Sequence, residues 1–438
     1  MQTPEADIAP TGRELPWYRA IGPECWRVLI AGWAVWALDA IDFLSITFVI
    51  SDIARQFHVS LSTTSLLLFA TYGVRWLGGL LFGSWSDRIG RKIPLLVALT
   101  WFTVCAVLTG LAWSFTAIIV FRLLLGFGMA PGFSLGATLI AETWPEKYRS
   151  IGIGIHDSGW GVGGIGAALI YGLVYPYTGW RGIFFVGVVP AILLGLFIAF
   201  FVDESAVWKS GAARRAAGGT PAIMLFRQYP KRVAFLAVLM LALFLSNWPM
   251  LGLFPSYLKS LNFPTSAIAT LTATAAIGQV VGFICSGFIA ERFGRKNGLS
   301  LMLAGGAAGV IVLILVIHDF VLAEVVAFVS GALLIGAAGI WGSILTENLP
   351  TEVRATGVGF LYNFGSFGGG LAPFLVLSAI GYFQLGFGSG LALATVFAAG
   401  LSIFVLRFAR ETRGVALSDA GGSSSSPGAG ASGYQRAR

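Results

Sequence analysis

Gly83–Lys92 reads GSWSDRIGRK, and 204 residues further on Gly287–Lys296 reads GFIAERFGRK. Both follow one pattern: Gly, three variable residues, an acid, Arg, one variable residue, then Gly-Arg-Lys. Working outward, AETWPEKYRSIGIG (Ala141–Gly154) is answered by TENLPTEVRATGVG (Thr346–Gly359). Glu142, Pro145, Arg149 and Gly152 recur as Glu347, Pro350, Arg354 and Gly357, each 205 residues on. Self-similarity at nearly half the length means that one unit is used twice.

The composition says what kind of unit. The chain has 438 residues, 56% hydrophobic and 11% charged, with a mean hydropathy of +0.82. A soluble domain is about 25% charged. A bilayer-spanning helix needs about 20 apolar residues. Twelve such segments are legible: 27–50, 62–86, 93–113, 116–140, 150–174, 180–202, 232–257, 267–290, 298–318, 322–345, 355–380 and 387–409. The expected fold is therefore an all-α membrane protein of twelve transmembrane helices in two six-helix pseudo-repeats. The expected organisation is an N-terminal segment (1–26), a first bundle (27–202), a linker (203–231), a second bundle (232–409) and a disordered Gly/Ser-rich tail (410–438). The first 26 residues lack the basic start and short apolar core of a cleaved signal.

The net charge is +8, and its distribution matters more than its size. Lys147, Arg149, Lys209, Arg214, Arg215, Arg227, Lys231 and Arg232 fall in alternate connections, together with the clusters at 88–92 and 292–296. The other connections carry little beyond Arg55, Arg181 and Lys259. This positive-inside pattern places both termini and the linker in the cytoplasm. The basic balance reflects topology, so no nucleic-acid partner is expected. Cys25, Cys105 and Cys285 show neither pair nor metal spacing, so free thiols and no metal are expected.

GSWSDRIGRK resembles the signature loop between helices 2 and 3 of the major facilitator superfamily. FRLLLGFG, from Phe121, resembles its helix-4 motif, with Arg122 and Gly126 in the marked places. LDAIDF (Leu38–Phe43), RWLGG (Arg75–Gly79) and ETWPEKYRS (Glu142–Ser150) resemble the sialate:proton symporter family, which includes bacterial sialic acid transporters and fungal lactate permeases. The resemblance implies alternating access by two rocking halves, a monomer, and a role for Arg122 in proton coupling. It also implies that Asp87 pairs with the second half and stabilises the outward-facing state. There are departures. Residues 203–231 are too short and polar for the extra helix pair of bacterial sialate transporters. Leu251 and Gly252 stand where fungal lactate permeases have Gln-Asp.

The charged residues inside spans carry the functional reading. An Asp at the centre of a membrane helix costs roughly 2.5 to 3.5 kcal/mol, yet the first span keeps both Asp39 and Asp42. Three apart, they lie on nearly one face of a helix. Such a pair titrates as a unit and can hold one proton in common, or one member can pair with an Arg. Arg75 falls near mid-membrane and cannot shed its proton. It must pair inside the bundle, with a helix-1 aspartate or with a substrate carboxylate, which its planar guanidinium grips well. His156, beside Asp157, can relay protons or contact substrate. The second half has no mid-membrane charge. Its polar and aromatic candidates are Asn247, Trp248, Gln279, Trp341, Tyr362 and Asn363, and Trp248-Pro249 reads as a helix break lining a cavity.

The expected proton-coupling residues are thus Asp39, Asp42 and Arg122. The expected substrate-binding residues are Arg75, His156, Asn247, Trp248, Gln279, Tyr362 and Asn363. The expected gate is Gly83, Asp87, Arg88, Gly90, Arg91, Glu142 and Arg149, with Gly287, Glu291, Arg292, Gly294, Arg295, Glu347 and Arg354. No catalytic set, nucleotide loop or cofactor site is legible, so an enzyme is not expected. The expected partners are a small carboxylate, protons and the lipid bilayer, and the expected location is the inner membrane. The expected activity is proton-coupled symport of a lactate-, pyruvate- or sialate-like acid. Symport of aromatic acids or other metabolites, or proton-coupled export of neutral or cationic compounds, is the alternative.

Overall fold

A computed structural model describes residues 16–210 and 219–414. The first fifteen residues, eight of the linker and all of the Gly/Ser-rich tail after Gly414 lie outside the described residues. Apart from short helices at Ala206–Ser210 and Pro221–Gln228 in the linker, the described residues form spans and tight connections. The first bundle contains α1 (Pro23–Gln56), α2 (Leu61–Gly73 and Arg75–Ile89), α3 (Lys92–Leu111), α4 (Phe115–Thr143), α5 (Arg149–Leu173) and α6 (Tyr175–Phe201). The second contains α7 (Pro230–Ser260), α8 (Thr265–Phe293), α9 (Arg295–Val316), α10 (Phe320–Glu347), α11 (Arg354–Phe383) and α12 (Phe387–Arg407). Ten of these are long and apolar enough to cross a membrane unaided. The other two are α2, whose segments have 13 and 15 residues, and the Gly-rich α5.

Local chemistry sets the ends. Ser60, Ser114 and Asp319 accept hydrogen bonds from Thr63 N, Ala117 N and Leu322 N and start α2, α4 and α10. Gly90 and Gly294 end α2 and α8 at φ 109° and 89°, a region closed to most side chains. Large apolar side chains such as Phe200 and Leu315, 77% and 76% exposed, point away from the bundle. In water this would be a liability; in a bilayer it is the solvated face. The chain is a multi-pass membrane protein.

The expected helix break at Trp248-Pro249 is not there. α7 runs through both Pro249 and Pro255. Membrane helices tolerate proline because neighbouring helices, side chains and local backbone adjustments re-satisfy the freed carbonyls, here those of Leu245 and Leu251, four residues before each proline. The irregular backbone lies instead in α10, π-helical over Gly331–Ile335 and 3₁₀ over Gly336–Ile340. Added Cβ atoms at Gly331 and Gly336 would come within 2.1 and 2.5 Å of α8 backbone atoms, so this stretch lies hard against α8. A further break at Val74 divides α2.

Candidate functional site

The two halves meet along one face, the face that carries the basic loops. There α2 crosses α11 and α5 crosses α8. A Cβ on Gly83 would lie 2.5 Å from Ala355 O, and one on Gly287 would lie 2.5 Å from Ser150 O. Glycine lets backbones touch at both crossings. Asp87 accepts from Ala355 N (3.1 Å), Thr356 N (2.8 Å) and Thr356 Oγ1 (2.7 Å) at the start of α11. Glu291 accepts from Ser150 N at 3.1 Å at the start of α5. A carboxylate suits the positive end of a helix dipole in each case.

Beneath these contacts lies a doubled ion-pair network. Glu142 accepts from Arg91 of its own half (2.9 and 3.1 Å) and from Arg354 of the other (2.8 Å). Glu347 accepts from Arg295 of its own half (2.9 and 3.0 Å) and from Arg149 of the other (3.3 Å). Arg88 and Arg292 sit at the rim: Arg88 donates to Thr220 Oγ1, and the Arg292 carbonyl accepts from Arg413. Of the fourteen residues expected in the gate, all but Arg88 and Arg292 lie along this seam or cap the helices that form it.

Sequence reading missed Glu204 and Glu411. Glu204 accepts from the backbone N–H of Arg91 (2.9 Å) and Lys92 (3.1 Å), and Glu411 from those of Arg295 (2.9 Å) and Lys296 (3.2 Å). Each caps the third helix of its half. The signal was a Glu-Ser pair at 204–205 answered by Glu-Thr at 411–412. Residues 410–413 belong to this docked strap, with Thr412 Oγ1 donating to Glu347 at 2.5 Å.

Further into the bundle, the break at Val74 leaves Arg75 at the start of the second α2 segment, buried. Its guanidinium lies 3.4 Å from Asp39 Oδ2, and its Nε donates to Asn363 Oδ1 at 3.1 Å. Asn363 is fixed in turn by donating to Ala130 O and Gly359 O. One guanidinium thus ties α1, α2 and α11, across both halves. Asp39 Oδ1 is buried and has no hydrogen-bond partner among the described residues.

Of the two readings of the Asp39/Asp42 pair, a shared proton or an arginine partner, the structure shows an arginine beside each aspartate. Asp42 pairs with Arg122 at 3.1 Å and lines a separate crevice with Ile41, Phe102, Phe184 and Val188. Three residues on a helix leave about 60° between side chains, enough to point them at different neighbours. Arg122 stands 4.8 Å from the Phe184 ring, with Nε and Nη2 unpartnered among the described residues.

A central cavity of about 70 Å³ lies between the halves, room for a few waters. Its polar lining is Arg75, Asp157, Asn247, Gln279 and Ser366. The aromatic lining comes from Trp36, Tyr72 and Trp160 in the first half, and from Phe244, Trp248, Phe283, Trp341 and Tyr362 in the second. Of the seven expected substrate residues, five line the cavity. Asn363 stands behind, holding Arg75. His156 is the correction: it is buried behind Trp36, whose ring stacks on it at 6.4 Å and 8°. Helix rotation points its neighbour Asp157 at the cavity instead. The missed aromatics Trp36 and Trp160 lie one turn from Asp39 and Asp157 respectively, the only sequence signal they carried. Irregular α10 contributes Ile335 and Ala338.

Residues 30–373 match the Major Facilitator Superfamily. The sialic acid transporter NanX of Escherichia coli (strain K12) is 29% identical over 90% of this chain and 96% of its own length. A probable 4-methylmuconolactone transporter of Cupriavidus pinatubonensis is 28% identical over 92% and 95%. Among solved structures, the proton:xylose symporter XylE shares the fold with a TM-score of 0.74 and 17% identity, over 90% of this chain and 98% of that one. The resemblance to sialate:proton symporters read from the motifs stands beside these matches. A family match across most of the length, on a doubled six-helix fold with a doubled seam, means that the chain belongs to the Major Facilitator Superfamily and is a membrane transporter, not an enzyme.

Proposed function

We propose that the protein is a proton-coupled symporter of a small organic carboxylate, working by alternating access. The observation that carries this reading is Arg75, a permanent charge lining a cavity between the halves and held by Asp39 and Asn363. A buried guanidinium needs a counter-charge, and a carboxylate can take it bidentately. A proton bound to Asp39 weakens that carboxylate's hold on Arg75 and frees the guanidinium for the incoming anion. With both charges neutralised, occlusion no longer buries an unpaired ion, and the halves can rock. The Asp42–Arg122 pair serves as a second coupling site on the same helix. The positive-inside pattern puts the basic seam, both termini and the 203–231 linker in the cytoplasm. The seam is then the inner gate, between bundles 27–202 and 232–409 of a monomer in the inner membrane. The relatives include a sialic acid transporter, in keeping with an acidic substrate. The ring-lined walls favour a second reading, in which the carboxylate is aromatic.

The test is uptake into proteoliposomes with a pH-sensitive dye trapped inside. Lactate, pyruvate, sialate and benzoate are added in turn across an imposed pH gradient, with protein-free vesicles as the control for passive permeation. Saturable acidification above that control, lost in Arg75→Ala, is expected for at least one acid. No protein-dependent signal with any of them overturns the proposal.

A further inference from the structure

We infer that the cavity holds a second polar subsite, on Asp157, that accepts a hydrogen bond from the substrate, so that the preferred carboxylate also carries a hydroxyl or ammonium donor. The inference rests on the carboxylate reading of Arg75 and names the kind of acid.

Asp157 differs from the other two mid-membrane aspartates. Asp39 and Asp42 each face an arginine. Among the described residues no arginine or lysine pairs with Asp157; its one ion-pair neighbour is His156, whose Nδ1 lies 2.9 Å from Oδ1. His156 Nε2 is buried and has no hydrogen-bond partner among the described residues. It is wedged so tightly that a Cβ on Gly136 would come within 2.4 Å of it. A neutral imidazole donates from one nitrogen only. Donation from Nδ1 leaves a bare Nε2 in this cage, whereas the imidazolium would bury an unsatisfied N–H. The ring therefore occupies Oδ1, and among the described residues none hydrogen-bonds Oδ2, on a residue that lines the cavity.

A buried carboxylate with an open oxygen is poorly matched to an anion that offers only its own negative charge. It is well matched to an anion that also offers a donor. The repulsion against plain acids and the charge-assisted bond to donor-bearing ones act in the same direction, and both sharpen selection. Trp36 connects the two poles. The Arg75 guanidinium lies 6.0 Å from its ring, His156 stacks on it, and Trp160 packs 4.8 Å from it. A substrate with its acid on Arg75 can lay its body along these rings and reach Asp157 with the far end. The buried, unpartnered Trp341 Nε1 supplies a further donor in the same wall.

The experiment is calorimetric titration of the full chain in detergent with two matched series: benzoate, 4-hydroxybenzoate and 4-methoxybenzoate; propionate, lactate and 2-methoxypropionate. The methoxy compounds keep the oxygen and lose the donor. In at least one series the hydroxy acid should bind roughly tenfold or more tighter than its methoxy partner, the scale of a hydrogen bond to a charged group. Asp157→Asn should bring that ratio to within about twofold, because it removes the charge that the donor meets. Equal binding of hydroxy and methoxy acids in wild type overturns the subsite without recourse to a variant, and so does a ratio that survives Asp157→Asn. Binding of no acid, or binding indifferent to Arg75→Ala, overturns the carboxylate reading itself and the subsite with it.

Discussion

At the seam, Arg91, Glu142 and Arg354 are answered residue for residue by Arg295, Glu347 and Arg149. In the cavity, the same 204- and 205-residue offsets carry Arg75 onto Gln279 and Asp157 onto Tyr362. One region keeps the repeat and the other departs from it. The difference follows from what each must do. A seam that closes one face bears on both halves alike, so equivalent residues serve equivalent ends. A site that grips one asymmetric solute gains nothing from a second copy of each charge. A second buried arginine would need its own counter-ion. A neutral amide and a phenol keep the polarity without that cost.

The comparison breaks most severely at Arg75. Arg75→Gln makes the pair symmetric with Gln279 and leaves Asp39 without its cation. Carboxylate uptake should fall about thirtyfold or more, on the order of the 2–5 kcal/mol lost when one partner of a buried charge pair is truncated in a binding site. Near-normal uptake would mean that the charge asymmetry is not what binds the anion.

Glu142→Gln and Glu347→Gln sharpen it. Each leaves two arginines facing a neutral amide, so each should cost about 3 kcal/mol of stability. The thermal midpoints in detergent should drop by similar amounts. A large drop from one and none from the other would deny the seam its symmetry.

The helix caps give the smallest effect. Glu204→Ala and Glu411→Ala should each cost about 0.5 to 1 kcal/mol, the worth of a carboxylate at a helix N-terminus. Burial pushes the Glu411 carboxyl up, but the backbone N–H groups of Arg295, Arg413, Lys296 and Thr412 outweigh it and hold the group below the ordinary glutamate range. Its contribution is therefore present above the unfolded value, about 4.3, and lost as pH falls through the lowered native one. The stability gap between wild type and Glu411→Ala should close on acidification over that window. A gap that widens instead would show that Glu411 does not act through its charge.

Much of the fold was legible because span and repeat are local properties. Hydropathy over about 20 residues marks a span whatever surrounds it, and two copies of a loop motif need only be compared. The seam was legible for the same reason, its residues carried in motifs that occur twice. Glu204 and Glu411 were overlooked because a two-residue signal is weak until the helix it caps is known. Inside the bundle, reading by residue type reached the cavity-lining Arg75, Asn247 and Gln279, because polar groups in spans are costly unless used, and with them Trp248 and Tyr362, large rings with a polar handle. It chose His156 over Asp157, because adjacent residues on a helix point about 100° apart and only packing decides which one meets the cavity.

Twelve spans, two homologous halves, one basic face and the set of charges that had to find partners in a bilayer are all written in the order of residues. The pairing came from the folded bundle: Arg75 with Asp39 and with Asn363, 288 residues away, and Arg122 with Asp42. Only it moved the irregular helix from α7 to α10. The physical reason is that a charge in a membrane span announces its need for a counter-group through composition alone, whereas the identity of that group depends on the rotation and tilt of each helix. Those are set by close contacts such as Gly83 against Ala355 and Gly287 against Ser150, made between segments far apart in the chain.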